Sequence, residues 1–305
     1  MICGGIDIGG TKIEARLFSE DLTTLDLRRV PTPTERLDDF IDVLAAQVRW
    51  LEQLSGERRE LPVGVALPGL IDTRTGRAFT SNLPASGHDI GALLCDRIGR
   101  RLPVMNDCQA FTLSEANGGA GEGFDTVIGL ILGTGVSAGL TFSGRLTKRL
   151  NGSALEVGHI MVPASAVLEQ GLPLWTCGCG RVGCFEQYIS GTGLAAIGKH
   201  RLGRPMRAEE IVTAALSGEP NFAEVLSEWL RIAAEFLLII QLAHDPDCIV
   251  LGGGLARIPG VAKRLQAPFQ ALLLGEMQMP AIRTAMHGDS SGARGAAIMA
   301  TGRTF

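Results

Sequence analysis

The chain has 305 residues, which is long for one compact core and fits two packed lobes. Hydrophobic residues make up 46% and charged residues 20%, an ordinary globular balance, so neither a disordered nor a fibrous chain is expected. The net charge is −4 and there is no basic stripe, RNP-like segment or helix-turn-helix pattern, which argues against nucleic acid as a partner.

Met1-Ile2-Cys3-Gly4-Gly5 has neither a positive n-region nor an apolar h-region, so no signal peptide is expected. The most apolar stretch, Phe236 to Ala243, falls far short of a membrane span. A cytoplasmic protein without a membrane partner is therefore expected. Seven cysteines, an odd count, argue against a disulfide framework. Cys3, Cys95, Cys108 and Cys248 are scattered in apolar surroundings and are expected to be inert core thiols. The 40 glycines exceed the usual usage of about 7% and fall in short clusters, which points to places of close backbone approach.

In chain order, Ile2 to Ile8 reads as a buried strand that runs into Gly9-Gly10-Thr11-Lys12, and Glu14 to Phe18 as its hairpin return. Leu37 to Leu54 has helical spacing, with Phe40, Ile41, Val43, Leu44, Val48 and Leu51 apolar. Pro62 to Leu67 is a strand that ends at Pro68-Gly69, and Ile90 to Ile98 a helix. Pro103 to Met105 is a short strand delivering Asn106-Asp107, followed by a helix over Phe111 to Ala116. The pattern then restarts. Thr126 to Leu132 is an apolar strand ending in Gly133-Thr134-Gly135, with Ala138 to Phe142 as its partner. This weak internal repeat fits two related α/β lobes. A cysteine-rich loop follows over 171–186, then helices over Ala208 to Leu216 and Phe222 to Ala243. Cys248 to Leu251 is a strand leading into Gly252-Gly253-Gly254, and Gly295 to Ala300 a closing helix. The expected organisation is a small α/β lobe over 1–118, completed by a C-terminal helix over 291–305, and a larger lobe over 119–290.

Several segments carry possible chemistry. A tight turn at Gly9-Gly10-Thr11-Lys12 exposes amides that can face phosphate oxygens, Thr11 adds a hydroxyl and Lys12 a charge. Asp7, at the end of the strand, can hold magnesium through water. A plain hairpin turn is the duller reading, and the segment fails the Walker A spelling. Gly133-Thr134-Gly135 is a second candidate phosphate cradle. Gly252-Gly253-Gly254 can pass under an adenine ring, or be only a flexible turn. Asp107, where a buried strand ends, can accept a proton from an attacking hydroxyl, or merely cap the next helix. His159 with Cys177, Cys179 and Cys184 makes a closed Cys3His set for structural zinc. Glu156 and Glu186 flank those ligands and would be fixed by them as acceptors for sugar hydroxyls, unless they are solvated surface groups.

Together these segments resemble the ROK family of the sugar kinase/hsp70/actin superfamily, from Gly5 to about Ala300. The resemblance rests on Asp7-Ile8-Gly9-Gly10-Thr11-Lys12, Leu132-Gly133-Thr134-Gly135-Val136, Glu156-Val157-Gly158-His159, and Cys177-Gly178-Cys179-Gly180 through Gly183-Cys184-Phe185-Glu186. Thr112-Leu113-Ser114-Glu115-Ala116, Asp245-Pro246-Asp247, His287-Gly288-Asp289 and Arg294-Gly295-Ala296-Ala297 are similar to the family's N-acetylglucosamine kinases in particular. It implies a two-lobe actin-like, hexokinase-like fold with a structural zinc loop, and ATP-dependent phosphorylation of N-acetylglucosamine at its 6-hydroxyl. It implies ATP on the larger lobe, with magnesium, and a homodimer. It makes Asp107 the catalytic base. Gly69, Asn82, Asn106, Glu156, His159 and Glu186 become sugar contacts, with His159 serving zinc through one ring nitrogen and the sugar through the other. ATP would be held by Asp7, Gly9, Gly10, Thr11, Lys12, Gly133, Thr134, Gly135, Gly252, Gly253 and Gly254. Cys108-Gln109 and Ser137-Ala138 depart from the family's usual residues, Ala-Asn and glycines. The rival readings are a glucokinase, fructokinase or N-acetylmannosamine kinase of the same family, and a non-catalytic sugar-responsive regulator.

Overall fold

The computed structural model describes residues 1–56, 61–147, 150–152 and 154–302. It opens with the expected hairpin, β1 (Cys3–Ile8) and β2 (Lys12–Phe18), and adds β3 (Thr24–Pro31), which is almost wholly exposed. Helix α1 (Leu37–Ser55) turns Phe40, Ile41, Leu44, Val48 and Leu51 into the core and stops at Gly56, whose φ of 70° only glycine takes readily. Next come β4 (Val63–Leu67), the short hairpin β5 (Leu70–Ile71) and β6 (Ala78–Phe79), and α2 (Ile90–Ile98). Asp89 caps α2 by accepting from the Ala92 amide at 3.0 Å. Then follow β7 (Val104–Asn106) and α3 (Asp107–Ala116).

The second half continues with β8 (Thr126–Leu132), β9 (Val136–Phe142) and β10 (Arg145–Leu146). Short helices α4 (Ala164–Leu168) and α5 (Glu186–Ile189) bracket the cysteine loop. After them come α6 (Gly191–Leu202), α7 (Ala208–Leu216), α8 (Pro220–His244), β11 (Cys248–Gly252), α9 (Val261–Gln270), β12 (Ala281–Thr284) and α10 (Ser291–Thr301). The expected C-terminal helix over 291–305 is formed to Thr301, and residues 303–305 lie outside the described residues.

The chain divides into two compact units: Met1–Asp125 with Gly139–Ala154 and Met286–Phe305, and Thr126–Ala138 with Leu155–Ala285. The first sheet runs β3-β2-β1-β4-β7 and the second β10-β9-β8-β11-β12. Each contains a run of three parallel strands reaching from its centre to one edge, β1 with β4 and β7 in one, β8 with β11 and β12 in the other. In such sheets the loops leaving the carboxyl ends of the strands gather ligands. Here those ends deliver Gly9, Gly69, Asn106-Asp107, Gly133 and Gly253. Cys3, Cys108 and Cys248 are buried as expected, whereas Cys95, on the rim of α2, is partly exposed. Among the described residues no helix is long and apolar enough to cross a membrane.

One side of the first sheet is covered by α10, at backbone contact. A Cβ on Gly5 would stand 1.7 Å from the Ala293 carbonyl oxygen, and one on Gly64 2.0 Å from that of Ala296. On the helix itself, a Cβ on Gly295 would stand 1.8 Å from the Ala110 carbonyl oxygen of α3. These spacings account for glycine within strands and helix, where it otherwise weakens both. Gly295→Ala should therefore cost about 1–3 kcal/mol through overpacking, read as a lower Tm and denaturation midpoint. A variant that melts with the wild type would show that α10 can retreat freely.

Candidate functional site

In the first unit the end of β7 forms a small polar constellation. Asn106 caps α3: its Oδ1 accepts from the amides of Cys108 at 2.8 Å and Gln109 at 3.0 Å. Its Nδ2 donates to the Gly69 carbonyl at 2.8 Å and to Asp107 Oδ1 at 3.1 Å. The cap thus falls on Asn106, one residue before the Asp that could have filled that role. Asp107 sits in the first helical turn, half-buried, and its Oδ1 also accepts from the Cys108 amide at 2.8 Å. Gly69 has φ 99°, and a Cβ there would stand 2.2 Å from the Phe79 carbonyl oxygen, so both the backbone and the space call for glycine. Asn82 lies exposed on the loop between β6 and α2.

Asp7 lies on β1 opposite Glu14 of β2. Burial pushes its carboxyl from the usual 3.8 up to about 7, the negative charges of Asp107 and Glu14 adding to the effect while Lys12 and Arg16 oppose it. A raised carboxyl favours the folded state when protonated. That contribution is full below about 3.8 and is lost as the pH rises through about 7. At neutral pH the group is therefore a half-titrated acid for which a nearby cation would be favourable. The turn beyond it is exposed at Gly10, Thr11 and Lys12. It is closed by Gly9 N–H to the Lys12 carbonyl at 2.8 Å and held from the residue after β3 by the Thr32 hydroxyl on the Gly9 carbonyl at 2.7 Å.

In the second unit, four side chains converge. The ligand atoms of His159, Cys177, Cys179 and Cys184 all lie within 4.8 Å of one another. Cys179 Sγ is 3.6 Å from Cys184 Sγ, and Cys177 Sγ is 3.7 Å from His159 Nδ1. The backbone makes this convergence local. The Cys177 amide donates to the Arg181 carbonyl at 2.7 Å, the Gly183 amide to Trp175 at 2.8 Å, and the Phe185 amide to Ile160 at 2.9 Å. Burial, with the neighbouring thiols Cys179 and Cys177, pushes the Cys184 thiol up to about 12. The Arg181 amide draws Cys179 below the usual thiol range.

The two flanking carboxylates fare differently. Glu186 Oε2 accepts from the Val136 amide at 3.0 Å, just past the second glycine turn. A Cβ on Gly135 would lie 2.7 Å from that oxygen, so a larger residue there would have to push the Glu186 carboxylate aside. Glu156 is exposed, yet local desolvation raises its carboxyl, with Glu186 adding and His159 opposing.

Beside this loop the second unit holds a cavity of about 700 Å³, lined by Gly133, Thr134 and Gly254 together with Thr192, Arg207 and Arg257. Of the glycines singled out in the sequence, Gly135 faces Glu186 instead, and Gly253 packs on the Leu132 carbonyl oxygen at 2.5 Å from its missing Cβ. The start of α6 locks the turn: the Gly191 amide donates to the Gly133 carbonyl at 2.7 Å, and the Thr192 hydroxyl to that of Thr134 at 3.0 Å. Sequence reasoning passed over Thr192, Arg207 and Arg257. Ser190-Gly191-Thr192-Gly193, a capping serine with a further glycine cluster, was a usable signal for the first; the two arginines had none.

The whole chain follows one known pattern, with a match to the ROK family over residues 3–303. The chain belongs to the ROK family. Over 303 residues this ROK chain is 37% identical to an N-acetylgalactosamine kinase of Shewanella sp. (strain ANA-3), covering 98% of this chain and 96% of that one. Over 298 residues it is 37% identical to an N-acetyl-D-glucosamine kinase of Photobacterium profundum, covering 97% and 98%. Among solved structures it is similar to a ROK family glucokinase from Streptomyces griseus in complex with glucose and AMPPNP, with a TM-score of 0.81 and 27% identity over 99% of this chain and 100% of that one. The fold is thus the α/β fold of ROK sugar kinases.

Proposed function

We propose that this ROK protein transfers the γ-phosphoryl group of ATP to the 6-hydroxyl of N-acetylglucosamine, giving N-acetylglucosamine 6-phosphate and ADP. The observation that carries the reading is the held pair Asn106-Asp107 at the end of a parallel strand, in a chain 37% identical to a named N-acetyl-D-glucosamine kinase. Asp107 accepts the 6-hydroxyl proton as the sugar oxygen attacks phosphorus, while Asn106, locked by Gly69, orients the carboxylate. In the first unit Gly69, Asn82 and Asn106 offer polar groups to the sugar. In the second, Glu156, Glu186 and the free ring nitrogen of His159 do the same.

The exposed turn Gly9–Lys12 and the turn Gly133–Gly135 supply amides to the phosphate chain. The cavity lined by Gly254 takes the nucleoside, with Gly252 and Gly253 leading the chain into it from the end of β11. Asp7 would hold magnesium, whose charge offsets that of the phosphates. His159, Cys177, Cys179 and Cys184 would hold one zinc ion. A tetrahedron with arms of about 2.3 Å has edges of about 3.8 Å, and the observed 3.6 and 3.7 Å separations fit it. Four protein donors leave no open position, so the zinc would order the loop that carries Glu186. A second reading, N-acetylgalactosamine as the preferred acceptor, is favoured by the Shewanella relative, which is equally identical.

Phosphorylation rates across a panel of hexoses and N-acetylhexosamines should rank N-acetylglucosamine first by kcat/KM. A higher value for N-acetylgalactosamine would establish the second reading, and a higher one for glucose, mannose or fructose would remove both. Asp107→Asn keeps an oxygen for the Cys108 amide and for Asn106, so sugar and ATP affinity should stay within roughly ten-fold while kcat falls by about 10²–10⁴-fold. Near-normal turnover would exclude Asp107 as the base. Elemental analysis of protein purified without chelator should give one zinc per chain. Cys179→Ser should lose it and weaken sugar binding; metal-free wild type would end the zinc assignment.

A further inference from the structure

Among the buried carboxylates of the first unit is one with an unusually full set of donors and no role in the chemistry described above. Glu115, on α3, is fully buried. Its Oε2 accepts from the Met286 amide at 2.9 Å and the Ala120 amide at 3.1 Å. Its Oε1 accepts from the His287 amide at 3.0 Å and the Ser291 hydroxyl at 2.7 Å. Burial works to raise the group, yet the donors at Met286, Ser291, Ala120 and His287 outweigh it and hold the carboxyl below its usual range. Such a carboxylate is a fixed anion at neutral pH. Three of its four donors come from the single short segment that enters α10.

Other ties join this segment and α10 to α3 and the turn that follows it. His287 Nε2 lies 2.7 Å from the Gly118 carbonyl, and Arg294 Nη1 donates to the Ser114 carbonyl at 2.7 Å, one residue before Glu115. Its outlet is the first turn of α10, where Gly292 abuts Asp7: a Cβ there would stand 2.5 Å from the Asp7 carboxyl carbon. Asp289, within the segment, also stabilises the charge of Arg29, which pairs with Glu14 opposite Asp7. The groups that set the Asp7 charge are thus Asp107, Glu14, Lys12 and Arg16, with the start of α10 as a wall.

We propose that Glu115 is a positioning residue for phosphoryl transfer: it fixes the Met286–Ser291 turn so that the first turn of α10 holds Asp7 in place for the metal-bound phosphates. The inference rests on the kinase reading and on the assignment of magnesium to Asp7. It separates two sides of the reaction. The sugar contacts Asn106 and Asp107 are fixed directly by the N-cap of α3 and by Gly69, whereas the start of α10 that walls Asp7 is held by Glu115.

The test is Glu115→Gln, with Ser291→Ala as the milder partner. An amide oxygen can serve only one pair of the four donors, and its NH2 then meets the other pair. The Ser291 hydroxyl can turn to accept, but the His287 amide cannot. Glu115→Gln should raise the Mg2+ concentration for half-maximal rate by about ten-fold or more and lower kcat, while sugar affinity measured without nucleotide stays at the wild-type value. Ser291→Ala should move the Mg2+ requirement in the same direction by less, and decides the matter if Glu115→Gln does not fold. A lower Tm with an unchanged Mg2+ requirement in the folded variants overturns the positioning role, as does a parallel loss of sugar affinity. Wild-type protein that phosphorylates no sugar with ATP overturns the kinase reading instead, and this role with it.

Discussion

The first unit depends on the approach of α10 to within carbonyl contact of β1, β4 and α3. A helix normally stands off a sheet by the thickness of its side chains. Here Gly5 and Gly64 on the strands, and Gly295 on the helix, remove that spacer. The consequence is chemical as well as mechanical. The strand that carries Asp7 near its end and the helix that starts at Asp107 are clamped by one element, so the Asp107 charge is held close enough to oppose ionisation of Asp7. Neither can relax by moving off, because each step away would open a void under α10.

How the fold treats its buried acids then distinguishes structure from site. Glu14 is met by the guanidinium groups of Arg16 and Arg29. Glu115 is met by three backbone amides and a hydroxyl. Among the described residues half-buried Asp7 is met by neither, and its carboxyl is pushed up to about 7. Desolvation acts on Asp7 and on Glu115 alike, so the difference between these two lies in the donors supplied. A carboxylate left without such donors, at the end of a central strand beside an exposed glycine turn, is one whose charged form an external cation would favour.

The parts legible in the sequence were those with strong local periodicity or strong local chemistry. Helix α1 could be read from its apolar spacing, β8 and β11 from unbroken apolar runs, and the metal-ligand cluster from three cysteines in a glycine-rich loop. Missed elements lacked such signals. Strand β3 is an exposed edge carrying Arg28 and Arg29, charged as edge strands are, so no alternation shows. Helix α6, Gly191–Leu202, contains glycines that fit its neighbours, not its own propensity. Helix α9 carries an internal Pro268. The Asn106 cap was hidden by ambiguity, because Asn and Asp in tandem both suit that position, and only backbone geometry separates them. Glu115 could be quoted as part of a segment, but its partners Met286, His287 and Ser291 lie about 170 positions along the chain.

The second unit solves the same problem of rigidity without a clamping helix. Its glycine turn at 133–135 is gripped from two sides, by the start of α6 on the Gly133 and Thr134 carbonyls and by Glu186 on the Val136 amide. Glu186 in turn stands two residues from Cys184, and Cys177 Sγ approaches its Oε1 at 3.9 Å. A chain of short contacts therefore runs from the thiol cluster through Glu186 to the backbone that lines the cavity. Ordering the cysteine loop helps to order the turn, because Glu186 ties the loop to the Val136 amide and its carboxylate fits against Gly135, where a Cβ would stand 2.7 Å from its oxygen. The cluster and the cavity are for this reason one mechanical element, although no side chain of the cluster lines the cavity itself.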